Sequence, residues 1–306
     1  MNRFGKISIE KFNNIHNKIL IKVDDCGLGD IFITRMIFED IKRIMPSCSI
    51  TFACPKNYID AISDHPFVDE VIDCRIIDES DFLVHYNITG VCTRYEMNIA
   101  PLSNLNRADI IANYCGLDLL NHEMHIKLDE KSVIEAQNKL INKRPCYVIC
   151  PISAVPSRSL TIQQIKLIND YVKKDNANLI CLHNKQIKEI SDLGIETWSD
   201  LSIKQWMATI SSSDYVISAD TAGFHCAGGL KKPLLGIFSF TDGKVYGKYY
   251  NKFNLVQKHR DNGDWDCGPC YNWISCKKSC QVHKPCILEI SEREILEGIN
   301  LLKMSI

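Results

Sequence analysis

The stretch Ile19-Leu20-Ile21-Lys22-Val23, with the turn Cys26-Gly27-Leu28-Gly29-Asp30 and the amphipathic segment Ile31 to Ile44 behind it, decides the fold class. The short apolar run predicts a buried strand, and the longer amphipathic segment predicts a helix. A second apolar run, Ser49 to Cys54, follows directly. This order is typical of parallel strands joined by crossover helices, so the first half of the chain is predicted to be an α/β domain.

The same alternation restarts after Asn142-Lys143-Arg144-Pro145, which we interpret as a linker. Tyr147 to Cys150 is a predicted strand, Thr161 to Val172 a predicted helix, and Leu179 to Leu182 the next strand. The restart predicts two Rossmann-like α/β domains with mostly parallel sheets. The expected division is 1–142, 143–290 with a cysteine-rich loop at 261–286, and a closing helix at 291–306.

Composition excludes several classes of protein. Lys plus Arg number 36 and Asp plus Glu number 37, so the formal net charge is −1 and the chain has no excess of positive charge with which to hold a polyanion such as nucleic acid. The sequence has neither a signal-like start nor an apolar run long enough to span a bilayer. Ten of the 15 cysteines are scattered between Cys26 and Cys226, as expected for buried thiols in a reducing compartment. We therefore expect a cytoplasmic protein.

The first turn places an acidic residue between a predicted strand and a predicted helix. In parallel α/β sheets ligands bind at the carboxyl ends of strands, and glycines there allow a ligand to approach closely. Gly27, Gly29 and Asp30 are therefore candidates for a ligand crevice, with Asp30 pointing into it. The alternative is that Asp30 only caps the helix and the glycines only turn the chain.

A second polar strand end is Ser218-Ala219-Asp220-Thr221-Ala222-Gly223-Phe224-His225. Amides at a helix start, together with the Thr221 hydroxyl, form a cradle for phosphate oxygens, which Asp220 and His225 would flank. The alternative is a capping aspartate and a histidine satisfied within the core.

A polar loop, Pro151-Ile152-Ser153-Ala154-Val155-Pro156-Ser157-Arg158, follows the first strand of the second predicted domain. A guanidinium over the same crevice can bind a diphosphate bidentately and neutralise its charge. Arg158 is therefore the candidate phosphate ligand, although a single exposed arginine is more often a solvated surface charge.

These residues make the chain recognisable as similar to a known family. It resembles the heptosyltransferase-like glycosyltransferases of family 9, whose members have the GT-B fold, two Rossmann-like domains facing across a central crevice. The matches lie in the family's order over most of the chain. They are Gly27 to Asp30, Pro66-Phe67-Val68-Asp69-Glu70-Val71, Pro156-Ser157-Arg158, Leu201 to Ser218, Asp220 to His225, and Phe238 to Asp242.

The resemblance implies an inverting transfer of a heptose or related sugar from a nucleotide-diphosphate donor, similar to ADP-heptose, to an acceptor hydroxyl. By the resemblance, Asp30 is the base that takes the hydroxyl proton, and Gly27 and Gly29 lie on the acceptor side. Arg158 stands where the family has a lysine that contacts the donor phosphates. The implied donor-binding residues are Ser157, Arg158, Asp220, Thr221, Ala222, Gly223 and His225.

The implied chemistry needs no catalytic metal, because Arg158 and helix dipoles can stabilise the departing diphosphate. The chain departs from the family pattern at Arg158, which replaces the lysine, and at Ala222-Gly223, which replaces Gly-Pro. Arg158 keeps the charge, so these departures bear on the identity of the donor. The acceptor stays open between a glycan, a protein and another hydroxyl-bearing molecule, and so does assembly into a homo-oligomer.

Five further cysteines crowd into one segment that begins with the Cys-x-x-Cys pattern of Cys267 and Cys270. Tetrahedral thiolate sites for structural iron or zinc use this spacing. The alternative is a loop of reduced, unliganded cysteines. The predicted ligands are Cys267, Cys270, Cys280 and Cys286, with Cys276 as the substitute.

Two other functions are compatible with a Rossmann-like domain. A nucleotide-dependent oxidoreductase or epimerase predicts Gly-x-Gly-x-x-Gly, whereas Gly29 is followed here by Asp30-Ile31-Phe32. A non-catalytic nucleotide-binding or scaffold protein would need neither Asp30 nor Asp220, and both are present. These functions are kept as the alternative to glycosyl transfer.

Overall fold

A computed structural model describes residues 18–99, 103–258, 261–262, 265–266, 269–270 and 286–304. They form two compact units. The first comprises the described residues of Met1–Tyr95 and Leu105–Lys127, and the second those of Glu96–Asn104 and Leu128–Ile306. The chain thus passes into the second unit and back before it finally enters it at Leu128, upstream of the predicted boundary at 142.

The first unit is built on a four-stranded parallel sheet of order β3-β2-β1-β4. Its strands are β1 (Lys18–Lys22), β2 (Ser49–Cys54), β3 (Glu70–Asp73) and β4 (Val84–Asn87). Its helices are α1 (Leu28–Thr34), α2 (Phe38–Ile44), the first part of α3 (Val91–Ile99) and α4 (Arg107–Tyr114). Short 3-10 segments lie at Arg35–Ile37, Lys56–Ala61 and Glu79–Asp81.

The second unit is built on a six-stranded parallel sheet of order β10-β9-β8-β5-β6-β7. Its strands are β5 (Cys146–Cys150), β6 (Asn178–Leu182), β7 (Glu196–Trp198), β8 (Tyr215–Ala219), β9 (Leu234–Phe238) and β10 (Phe253–Gln257). Its helices, after the end of α3, are α5 (Glu130–Leu140), α6 (Ile162–Lys174), α7 (Lys188–Ser191), α8 (Ile203–Ser212), α9 (Ala222–Gly229), α10 (Gly243–Tyr246) and α11 (Glu292–Lys303). The 3-10 turns are Ile141–Lys143, Pro156–Arg158 and Cys286–Glu289, and β11 (Asp261–Asn262) pairs antiparallel with β12 (Trp265–Asp266).

Local sequence explains why these elements form where they do. Strands β5 and β9 are buried along their whole length, as expected for central strands of a sheet covered on both faces. Helix α6 begins with a capping box formed by Thr161 and Gln164, and α11 begins with one formed by Ser291 and Glu294. The apolar faces of both helices join the core of the second unit through side chains such as Ile168 and Ile299.

The predicted fold class, α/β with mostly parallel sheets in two domains, is confirmed. The predicted helix Ile31 to Ile44 is interrupted, because a 3-10 turn at Arg35–Ile37 separates α1 from α2. The elements α3, β7 and β10 were not predicted from the sequence. Within the described residues, no helix is both long and apolar enough to cross a membrane.

Strand order locates the candidate sites. In the second unit the order of the strands along the chain reverses between β5 and β8, and in the first unit it reverses between β1 and β4. Neighbouring loops leave in opposite directions at such a reversal, and the crevice that opens there at the carboxyl ends of the strands is where doubly wound sheets bind ligands.

Candidate active site

The turn after β1 presents Asp30 at the start of a helix. Gly27 precedes α1 as its capping residue, and its amide donates to Asp30 Oδ2 at 3.0 Å. Asp30 therefore does cap the helix, as one of the two sequence interpretations expected. Capping uses one lone pair of one oxygen, so it leaves the carboxylate able to accept further hydrogen bonds.

Arg107 is the second partner of Asp30. Its Nη1 lies 2.6 Å from Asp30 Oδ1, and the two side chains are 17% and 33% exposed respectively. Arg107 is the first residue of α4 and stands 77 positions from Asp30 in the chain. Sequence reasoning missed it, because an arginine that begins a surface helix gives no local signal of a distant carboxylate.

Polar residues at the end of β4 hold the same turn from the other side of the strand reversal. The Asp24 amide donates to Thr89 Oγ1 at 2.8 Å, and Asn87 Nδ2 donates to Asp24 Oδ2 at 2.9 Å. Thr89 is in turn fixed by its own amide, which donates to Asn87 Oδ1 at 2.9 Å. The loop that carries Asp30 is therefore anchored to the neighbouring strand end.

At the end of α1, Arg35 forms a buried polar network. The side chain is fully buried and uses all five of its N–H donors. They bind the Met124, Ala61 and His125 carbonyl oxygens and both carboxylate oxygens of Asp64, at 2.6 to 2.9 Å. A buried charge satisfied in this way fixes the path of the chain from α1 to the loop after α4.

In the second unit, Asp220 and Arg158 meet at the strand reversal. Arg158 Nη1 lies 3.3 Å from Asp220 Oδ2, so the loop after β5 and the residue after β8 form an ion pair. Thr241, in the loop after β9, donates its hydroxyl to the same Oδ2 at 2.7 Å. The Asp220 side chain is only 5% exposed. Two predicted donor-site residues are thus brought together, and Thr241, which the prediction did not assign, contacts one of them.

Arg158 retains donor capacity beyond this ion pair. Its Nε is buried and has no hydrogen-bond partner in the described part of the chain. A buried donor left without a partner costs roughly 1 to 3 kcal/mol, so an anion bound at this guanidinium can supply an interaction that the protein alone does not. Ser157, the preceding residue, accepts a hydrogen bond from the Ser239 hydroxyl at its carbonyl oxygen, at 3.2 Å.

At the start of α9, part of the predicted phosphate cradle is already hydrogen-bonded within the protein. The Thr221 hydroxyl caps the helix by accepting from the Gly223 amide at 3.2 Å and lies 3.0 Å from Ser218 Oγ. The Ala222 amide has no hydrogen-bond partner among the described residues. The free amide of this helix start is therefore the one at Ala222, and Gly223 has a packing role as well.

Close packing explains the glycine at position 223. A Cβ there would lie 2.4 Å from Cys150 Sγ at the end of β5, so only glycine lets α9 begin this close to the neighbouring strand. His225 is buried one turn into α9, with Nδ1 2.7 Å from the Tyr250 hydroxyl. Its placement corresponds to the alternative of a core histidine, and its predicted contact with the donor stays a prediction.

The predicted metal site falls largely outside the described residues. Cys267, Cys276 and Cys280 lie outside them, whereas Cys270 and Cys286 are half-buried. The Cys270 amide donates to the Phe240 carbonyl oxygen at 2.6 Å. Within the described residues, no three metal-ligating side chains converge. Elsewhere burial raises the pKa of the Cys54, Cys115, Cys146 and Cys181 thiols to about 12, so these cysteines are protonated packing groups.

Comparison with known proteins relates this arrangement to a family. Residues 95–265, more than half of the chain, match glycosyltransferase family 9 (heptosyltransferase). A candidate lipopolysaccharide heptosyltransferase 4 of Escherichia coli (strain K12) is 27% identical over 121 residues. That match covers 39% of this chain and 33% of the E. coli protein, so it spans about a third of the relative's length.

Two solved structures share the fold over nearly the whole chain. The glycosyl transferase family 9 structure from Veillonella parvula DSM 2008 matches with a TM-score of 0.77 and 14% identity, over 95% of this chain and 98% of that one. The dodecameric iron-containing heptosyltransferase TibC, from enterotoxigenic E. coli H10407, was solved with ADP-D-beta-D-heptose. It matches with a TM-score of 0.70 and 14% identity, over 95% of this chain and 77% of that one. The fold is therefore that of GT-B heptosyltransferases.

Proposed function

The chain belongs to glycosyltransferase family 9, the heptosyltransferase family, and on that premise we propose that it transfers a sugar from a nucleotide-diphosphate donor to an acceptor hydroxyl with inversion. The proposed sugar is a heptose or a related sugar, and the proposed donor resembles ADP-heptose, the ligand in the TibC structure. Family membership does not favour the alternative of an epimerase or a non-catalytic scaffold.

The single observation that carries the donor site is the Arg158–Asp220 ion pair at the strand reversal of the second unit. Arg158 supplies positive charge where a diphosphate would leave, and the open Ala222 amide supplies a further donor at a helix start. Asp220 supplies an acceptor for a sugar hydroxyl. A displacement at an anomeric carbon needs this combination, because negative charge grows on the departing diphosphate while the sugar must be held in one orientation.

Asp30 is the proposed base on the acceptor side. Its carboxylate is a third exposed and is fixed by Gly27 and Arg107, so it combines access with a defined orientation. In the reaction the acceptor oxygen forms a bond to the anomeric carbon, the bond to the diphosphate breaks, and Asp30 takes the acceptor's proton. No catalytic metal is required in this scheme.

Calorimetry with ADP-heptose tests the donor site directly. We expect saturable binding by the wild-type protein and an affinity lower by at least tenfold in Arg158→Ala, because one charge-assisted contact to the diphosphate is lost. UDP-N-acetylglucosamine serves as the competing donor. Arg293→Ala is the matched control, since Arg293 is another arginine of the second unit that pairs with a carboxylate, Glu297, on the surface. Equal ADP-heptose affinity in the wild type, Arg158→Ala and Arg293→Ala would contradict the proposed donor site.

We further propose that Cys267, Cys270, Cys280 and Cys286, with Cys276 as the substitute, hold structural iron or zinc. Their thiols suit either metal, and the iron-containing TibC supports iron. Purified protein should then carry about one equivalent of metal by elemental analysis, and iron would colour it. Metal-free preparations with unchanged stability would contradict this site.

Compartment and assembly are proposals of the same kind. Buried thiols such as Cys54 and Cys181 are consistent with a reducing compartment, so we propose the cytoplasm. TibC is dodecameric, which supports a homo-oligomer here. The acceptor is proposed only as a hydroxyl carried by a glycan, a protein or another molecule.

A further inference from the structure

The loop Ser239–Asp242 connects β9 to α10 and contacts Asp220 and Ser157, the residue before Arg158. Thr241 Oγ1 donates to Asp220 Oδ2 at 2.7 Å, and the Ser239 hydroxyl donates to the Ser157 carbonyl oxygen at 3.2 Å, next to Arg158. The donor site proposed above does not use this loop. Its contacts nevertheless hold Asp220, which follows β8, and the 3-10 turn that carries Arg158.

Thr241 determines which carboxylate oxygen of Asp220 is available. Oδ2 accepts from both Thr241 and Arg158, whereas Oδ1 accepts no hydrogen bond from the described residues. Thr241 and Asp220 are 3% and 4% exposed, so water cannot easily replace their contact. A buried β-branched hydroxyl has few rotamers, and the bond it makes is accordingly rigid. The carboxylate is held with one oxygen committed and the other open.

The Ser239–Asp242 loop is itself held in place by hydrogen bonds, so Thr241 has a fixed position from which to bind Asp220. Asp242 caps α10 by accepting from the Lys244 amide at 2.8 Å, and the Gly243 amide donates to Gln257 Oε1 on β10 at 2.6 Å. On its other side, the Phe240 carbonyl oxygen accepts from the Cys270 amide. Thr241 is thus held between the anchored start of α10 and the end of β9. It therefore has little freedom to move with Asp220 if that side chain is displaced.

We infer that Thr241 is a positioning residue for the donor sugar. It holds Asp220 so that Oδ1 accepts a hydroxyl of the sugar while Oδ2 retains Arg158 beside the diphosphate. This inference rests on the proposed function, because it needs a nucleotide sugar in the site. It goes beyond that function by assigning sugar orientation to a residue that acts through Asp220.

The test compares a nucleotide with and without its sugar. Thr241→Val keeps the shape and removes the hydroxyl, whereas Thr241→Ser keeps a hydroxyl. The affinities for ADP and for ADP-heptose are measured by calorimetry. Compared with the wild type, Thr241→Val should bind ADP-heptose roughly tenfold more weakly, whereas its affinity for ADP should stay within about twofold. Thr241→Ser should retain most of the ADP-heptose affinity. If Thr241→Val does not fold, Thr241→Ala carries the same expectation.

Thr209→Val is the matched control. Thr209 is a buried threonine of the same unit whose hydroxyl donates to the Gln205 carbonyl oxygen at 2.8 Å within α8. Thr209→Val should lower the melting temperature without changing the ratio of the affinities for ADP and ADP-heptose. Equal losses for ADP and ADP-heptose in Thr241→Val, or no loss for either, would overturn the positioning role. A wild-type protein that binds neither ligand overturns the proposed function itself, and the inference with it.

Discussion

The two candidate carboxylates occupy equivalent places, each after a strand that borders a reversal in strand order, but their surroundings differ. Asp30, after β1, is a third exposed and has Gly27 and Arg107 as partners. Asp220, after β8, is almost fully buried and shares one oxygen between Thr241 and Arg158. An accessible carboxylate can take a proton from an arriving hydroxyl. A buried carboxylate that already accepts hydrogen bonds from two side chains is suited to holding a ligand in place.

The supports beneath the two carboxylates differ as well. The helix that carries Asp30 ends at Arg35, with its buried polar network. Behind Asp220, Phe224 of α9 packs edge-on against Phe238 and Phe253, at centroid distances of 4.7 and 5.2 Å. The first support therefore depends on charge and protonation, and the second on apolar packing, which acid does not affect directly.

Replacing the accessible carboxylate should give the largest effect. Asp30→Asn keeps the shape and the cap on α1 but removes the base, so turnover should fall by about a hundredfold or more. The affinity for the donor should change little, because Asp30 is proposed to act on the acceptor. The measurements are steady-state release of nucleoside diphosphate and calorimetric donor affinity.

Asp78→Asn is the matched control for that variant, because Asp78 caps a 3-10 turn of the same unit through the Ser80 amide. It should leave turnover unchanged. An Asp30→Asn protein with most of its activity would show that Asp30 serves only as a cap, and the functional distinction between the two carboxylates would disappear.

Removing the partner that orients Asp30 should have a smaller effect. Arg107→Gln leaves Gly27 as the cap but frees Oδ1, so turnover should fall by roughly tenfold with unchanged donor affinity. Arg107→Lys should recover part of the loss. Arg43→Gln, which breaks the Arg43–Asp40 pair on α2, is the control and should have no effect on turnover. A loss of donor affinity in Arg107→Gln would contradict a role confined to Asp30.

Acid should distinguish the two supports. His65 is buried beside Arg35, and burial together with the Arg35 charge lowers its pKa to about 3. The Phe67 amide donates a hydrogen bond to His65 Nδ1. The neutral His65 ring therefore carries its proton on Nε2, which lies 3.0 Å from the Arg35 carbonyl oxygen. Between pH 6.5 and 3 the unfolded chain binds a proton that the folded chain does not. The free energy of unfolding should therefore decrease as the pH is lowered from about 6.5 towards 3, by up to about 1.4 kcal/mol per pH unit.

Urea unfolding followed at several pH values measures this slope. His65→Gln should flatten it, whereas the half-exposed His85→Gln should not. The first unit should lose protection from hydrogen exchange before the second as the pH falls. Simultaneous loss in both units, with an unchanged slope in His65→Gln, would show that the difference between the supports has no energetic consequence.

Sequence patterns predicted the parallel α/β units because buried strands and amphipathic helices leave local signals. The strand Ser49–Cys54 coincides with its predicted limits. The short edge strand β7 and the half-buried β10 were missed, since neither forms a long apolar run. The helix α3 was also missed; its chain crosses from one unit to the other between Tyr95 and Glu96.

For the candidate site, the sequence by itself determined which carboxylates directly follow the strands. Polar residues such as Asp30 and Asp220 directly follow predicted strands, and parallel connections bring strand ends to one edge of a sheet. Only the tertiary structure decided what each carboxylate contacts. Arg107 lies 77 positions from Asp30, and Arg158 lies 62 from Asp220. Such pairs form because packing brings distant elements together, and a local sequence pattern carries no record of that packing.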